Sequence, residues 1–139
     1  MLKHADLTEK IIGVFYQVYN ELGFGFLESV YHKAMLVALR ALDLHVETKV
    51  AVPVWFRGEV IADFEADLMV EGVVLLELKA VQTLVQAHEA QLLNYLRATP
   101  IEVGLLMNFG PQPQFKRMAF DNDRKQLRPR ICADERGSI

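Results

Sequence analysis

Glu77 and Lys79 stand two residues apart in a run, Val73 to Lys79, that otherwise reads as a strand buried on both faces. Alternate residues of a strand share a face, so the carboxylate and the ammonium project side by side. Charges at the end of a buried strand are costly unless partnered, and a cross-strand salt bridge or exposure at the sheet's end would meet that need. The preceding segment carries Asp63, Glu65 and Asp67 on one face, and a tight turn at Glu71-Gly72 would set Asp67 beside Glu77. Two converging carboxylates suit Mg²⁺ or Mn²⁺, with water and substrate phosphate completing the shell. A neighbouring lysine can then orient a water or offset charge developing on a phosphoryl group.

Two further sets join these. Gln91 and Tyr95 are four apart on a predicted helix and share a face, with His88 one turn earlier; a polar helix flank would look the same. Glu28 opens another helix, with Tyr31 three residues on, where a carboxylate complements the helix dipole whatever its chemistry. Other chemistries fit worse. His4, His32, His45 and His88 lack zinc-site spacing. There is no Gly-x-Ser-x-Gly elbow or Walker-type loop, and Cys132 falls in a charged tail unsuited to a nucleophile.

The elements that must position these residues follow from hydrophobic period. Asp6 to Glu9 reads as a capping box opening a helix with Leu7, Ile11, Phe15, Val18 and Leu22 on its apolar stripe, ended by Gly23 and Gly25. A second helix is predicted from Phe26 to Leu42. After Asp43 the period becomes two: Val46, Thr48, Val50, Val52, Val54 and Phe56 predict a strand with one inward face. Pro53 places that strand at an edge or a bulge. Turns at Arg57-Gly58 and Glu71-Gly72 extend it into an antiparallel meander through Val70 and then Lys79. A helix over Thr83 to Ala98 crosses to an apolar strand, Ile101 to Phe109, which should run parallel to a meander strand. A last strand covers Phe115 to Phe120. The order is α-α-β-β-β-α-β-β, an α/β fold with a mixed sheet flanked by helices.

At 139 residues, 52% hydrophobic and 24% charged, the chain has the size of one domain and the composition of a globular one, which excludes a disordered chain. Residues 1–120 form that domain, and 121–139 form a charged tail in which Arg124, Lys125, Arg128 and Arg130 cluster. The tail reads as solvated, or as an arm for phosphate. A net charge of −3 argues against coating nucleic acid through bulk charge. The single cysteine suits a reducing, cytoplasmic setting, and neither a membrane span nor a signal-peptide core is expected.

The run Leu22 to Tyr31, with Gly25, Glu28 and Tyr31 at the signature positions, resembles the GxxExxY protein family. The blocks around Asp67, Glu77 to Lys79, Gln91 to Tyr95 and Gly104 to Gly110 are similar to that family's remaining motifs, so the resemblance spans roughly residues 7–120. That family is placed in the PD-(D/E)XK nuclease superfamily. The resemblance implies a restriction-endonuclease-like core and Mg²⁺- or Mn²⁺-dependent cleavage of nucleic acid, with DNA ahead of RNA as substrate. It implies that Asp67, Glu77 and Glu28 hold the metal, that Lys79 serves the attacking water, and that Gln91 and Tyr95 orient Lys79 or a phosphate. The rival expectation is a catalytically silent binding or assembly module with the same fold. A partner protein or a second copy could then supply the nucleic-acid surface.

Overall fold

The computed structural model describes residues 3–125. Helices α1 (Ala5–Leu22) and α2 (Glu28–Arg40) precede a meander of β1 (Val46–Phe56), β2 (Glu59–Val70) and β3 (Val74–Lys79). Helix α3 (Gln86–Ala98) then leads to β4 (Val103–Phe109) and β5 (Pro113–Ala119), and a 3-10 turn, Asn122–Arg124, follows. The sheet order is β1-β2-β3-β4-β5, antiparallel except for the β3–β4 pair, which α3 connects in parallel. Element order, mixed sheet and flanking helices are those predicted from hydrophobic period. No helix among the described residues is long and apolar enough to cross a membrane.

Each sheet face is covered. Ile11, Phe15, Tyr31, Met35 and Leu39 of α1 and α2 pack on Leu68, Leu76, Leu78 and Leu105. Leu92 and Leu96 of α3 pack with Met69, Leu75 and Leu106 on the other side. Even-numbered residues of β3 therefore face α1 and α2, and odd-numbered ones face α3. Glu77 and Lys79 follow Leu75 onto the α3 side.

Three local expectations are corrected. The capping box is absent: α1 starts at Ala5, so Asp6 lies inside its first turn, and His4 precedes it with φ 54° and no side-chain cap. Thr8, buried, donates instead to the Ala5 carbonyl at 3.1 Å. Helix α2 starts two residues late, because Leu27 is extended and Phe26 is held outside the helix by the Tyr31 hydroxyl. Finally, β1 does not keep one inward face. Val46 packs on the α1/α2 side, whereas Val50 and Val52 pack against the α3 core, as do Phe64 and Ala66 opposite them. Residues of equal parity can change sides only if the strand departs from regular pleating; in β1 this happens at Lys49, with φ 52°, and β2 changes sides at the same level, between Ala66 and Leu68. Pro53 is in the edge strand, as its missing donor requires.

The segment between β3 and α3 is pinned from β4. Buried Asn108 accepts the Val81 N–H through Oδ1 at 2.9 Å and donates through Nδ2 to the Val81 carbonyl at 3.0 Å and to Gln114 Oε1 at 3.3 Å. Gln114 Oε1 also accepts the Leu84 N–H at 3.0 Å. A Cβ at Gly110 would collide with the Val81 carbonyl, so the close approach needs glycine there. Past the sheet, Lys125 Nζ donates to the carbonyls of Thr99 and Ile101, and Arg124 lies over the Phe120 ring. Arg128, Arg130 and Cys132 lie outside the described residues. Replacing Asn108 with leucine removes the partners of the half-buried Val81 amide and carbonyl. Asn108→Leu should lower unfolding free energy by about 2–3 kcal/mol, read from urea denaturation.

Candidate active site

The β2–β3 ladder stops at the Leu68–Leu76 pair. One step further, where Asp67 and Glu77 would face each other, side chains replace the backbone pairing. The Leu78 N–H donates to Asp67 Oδ2 at 2.8 Å, and the Asp67 N–H donates to Glu77 Oε1 at 3.4 Å. Each carboxylate thus accepts one backbone amide where the ladder ends, and each keeps a second oxygen.

Glu28 reaches this opening from α2. The loop before it turns through Gly25 at φ 110°, a conformation that L side chains rarely adopt. The Tyr31 hydroxyl then donates to the Gly23 carbonyl at 2.6 Å and accepts the Phe26 N–H at 3.3 Å. Its buried ring stacks on Phe109, centroids 4.3 Å apart. Gly25, Glu28 and Tyr31 therefore act together: glycine permits the turn, tyrosine holds it to the core, and Glu28 is delivered at the helix start.

The electrostatics tie four of the expected residues together. Burial first, and then the Asp67 carboxylate, push Glu77 up to about 8; Glu28 adds to the rise, and the Asp67 N–H and Lys79 oppose it. Glu28 is also raised, by burial and then by Asp67, against the pull of Lys79 and His32. Beside them a cleft of ≈ 250 Å³ is lined by Glu28, Ser29, His32, Lys33, Lys49 and Asp67. His32 Nε2 lies 3.8 Å from Asp67 Oδ1.

Gln91 and Tyr95 are placed differently. Gln91 Nε2 donates to Tyr95 Oη at 3.4 Å, and the Tyr95 ring stacks on Phe64 at 3.6 Å. They line a shallow depression on α3 with His88 and Asn94. They share the sheet side of Glu77 and Lys79, and no hydrogen bond among the described residues joins them to either. Asp63 and Glu65 are exposed and stay outside the site.

Sequence reasoning missed Ser29, His32, Lys33 and Lys49. His32 was within reach, since it follows Glu28 by four residues on the same helix face. Lys49 was not. Counting back from the Arg57-Gly58 turn puts Ala66 opposite it. The register shift between Val54 and Trp55 moves β1 by one residue, so that Thr48 pairs Leu68, Val50 pairs Ala66, and Lys49 stands opposite Asp67.

A divalent cation suits these residues. Among the described residues, no three His, Cys, Asp or Glu side chains form a ready cage for an ion. The donors are nevertheless hard carboxylate oxygens left over from the two amide bonds, beside a cleft with room for water. Burial first, and then the acidic neighbours, hold the Glu77 carboxyl near 8, and a bound cation would offset both.

Residues 5–118 match the PD-(D/E)XK nuclease superfamily, and the chain belongs to it. The crystal structure of SSO0001 is similar in fold, with a TM-score of 0.53 and 18% identity over 69% of this chain and 51% of that one. The chain thus spans about half the length of that protein. An alkaline exonuclease (LHK-Exo) from Laribacter hongkongensis aligns over 89% of this chain and 74% of that one, at 11% identity and a TM-score of 0.45. Among curated proteins there is no significant match.

The raised Glu77 predicts how stability depends on pH. The folded state holds this proton up to about 8, whereas the unfolded chain releases it near 4.5. Between those values the folded state binds more protons, so stability falls as pH rises and levels off above about 8. Glu77→Gln should flatten this decline and melt above the wild type at alkaline pH, measured by thermal unfolding across that window.

Proposed function

We propose that this protein is a divalent-metal-dependent nuclease that hydrolyses phosphodiester bonds of nucleic acid, with DNA ahead of RNA as substrate and Mg²⁺ or Mn²⁺ as the metal. We also assign it to the GxxExxY group within the superfamily, on Gly25, Glu28 and Tyr31. The observation that carries the reading is the opened β2–β3 ladder, whose exposed amides are taken by Asp67 and Glu77 with Lys79 two residues beyond.

In this reading Asp67 and Glu77 hold the metal, with Glu28 contributing from α2. When bound, the metal supplies Lewis-acid polarisation of a phosphoryl oxygen and lowers the pKa of a water. Glu77 must give up its proton first. Lys79, on the face that Glu77 occupies, donates a hydrogen bond to the attacking water or to an oxygen gaining charge in the transition state. His32 stands beside Asp67 in the cleft, and the Gln91–Tyr95 pair offers an amide and a hydroxyl to Lys79 or to a phosphate on the α3 side. The complete set of acids and lysine weighs against a module without turnover.

The test is cleavage of end-labelled single- and double-stranded DNA and RNA in Mg²⁺ and in Mn²⁺. Wild type should cut at least one substrate, and Lys79→Ala should lower the rate by about 10²- to 10³-fold while leaving substrate affinity largely intact. Binding without cleavage of any of the four in either metal would overturn the nuclease reading in favour of a binding module.

A further inference from the structure

The cleft beside the acids has a basic wall that the proposed chemistry does not use. Lys33 follows Ser29 by four residues on α2, so both face the cleft from one side. Lys49 enters from β1 on the other. Among the described residues neither lysine forms an ion pair or a hydrogen bond through its ammonium, although Asp67 and Glu28 line the same space. Both side chains are exposed at the cleft rim. Lys49 is also the residue at which β1 adopts a left-handed conformation, φ 52°, in mid-strand. Such a conformation is unfavourable for any residue with a Cβ, and glycine would adopt it freely. That strain falls at the residue that lines the cleft beside Asp67.

We propose that Lys33 and Lys49 are the substrate-anchoring residues of this site. They grip the phosphates that flank the scissile one, so that a nucleic-acid strand crosses the cleft between α2 and the Lys49 break of β1. The inference rests on the nuclease reading above and adds to it the path of the backbone. It also accounts for binding by a chain of net charge −3: the positive potential is local to the cleft. Contacts of this kind read phosphate and not base, so the site discriminates little by sequence.

The experiment measures binding of a labelled oligonucleotide at several salt concentrations with Ca²⁺, an oxygen-seeking cation, in place of Mg²⁺. The chains compared are wild type, Lys33→Ala, Lys49→Ala, Lys49→Gly, the Lys33→Ala/Lys49→Ala pair, and Lys10→Ala on the exposed face of α1 as a charge control. Each cleft variant should weaken binding by about 3- to 10-fold and reduce the salt slope by about 0.9 on duplex DNA or about 0.7 on single strands. The double variant should lose about twice as much slope, and Lys10→Ala should match the wild type. Lys49→Gly should melt at or above the wild-type temperature while binding as weakly as Lys49→Ala, because it relieves the backbone and removes the ammonium. A lysine kept for stability alone would show the reverse: Lys49→Gly would melt lower and bind normally. Wild-type cleavage with unchanged binding and slope in both cleft variants overturns this proposal and leaves the nuclease reading standing. A wild type that neither binds nor cuts any nucleic acid removes both.

Discussion

The structure of the site depends on a reciprocal exchange: the Asp67 carboxylate takes the Leu78 amide, and the Glu77 carboxylate takes the Asp67 amide. An opened ladder without the acids would leave donors unpaired, at about 1–3 kcal/mol each. The two carboxylates therefore stabilise the opening in which they sit. The arrangement has a cost, visible in Glu77, whose carboxyl is pushed up to about 8 by burial and by Asp67. A site this short of positive charge is poised to accept it.

Two adjacent residues at the end of β4 carry that local exchange into the rest of the fold. Phe109 faces α1 and α2 and receives the Tyr31 ring, which fixes the loop that delivers Glu28. Asn108, its neighbour, holds Val81 just beyond Lys79 and, with Gln114, the start of α3. Successive strand residues point to opposite faces, so one strand end positions both sides of the site. This explains why a fully buried strand carries a buried asparagine: two of its hydrogen bonds hold Val81 on the path from Lys79 to α3, and the third holds Gln114 of β5, which in turn accepts the Leu84 N–H.

Most of the fold was legible because its elements have strong, distinct periods: the stripe of α1, the apolar runs of β3 and β4, and the turns at Arg57-Gly58 and Glu71-Gly72. The grouping of Asp67, Glu77 and Lys79 was legible because charged residues in such settings need a reason, whereas Glu28, which the helix dipole would explain by itself, was set beside them only by the resemblance. What escaped depends on departures from regularity. The start of α1 falls at Ala5, behind a left-handed His4 that gives no side-chain cap. The late start of α2 is set by a tyrosine eight residues after the glycine whose carbonyl it holds. The face change at Lys49 leaves no mark in residue type, and Pro53 left open whether it marked an edge or the shift beside it at Val54 and Trp55, yet together these two irregularities decide which side chain meets Asp67.

The central claim is that Asp67 and Glu77 form a carboxylate pair awaiting a divalent cation, and calorimetric titration tests it most directly. Mn²⁺ or Mg²⁺ is titrated into the protein near neutral pH in two buffers of different ionisation enthalpy, so that proton release is counted along with binding. The account predicts saturable binding with release of close to one proton per ion, since Glu77 must ionise, and loss of both signals in Glu77→Ala and Asp67→Ala. Binding that releases no proton, or that survives in both variants, would contradict it.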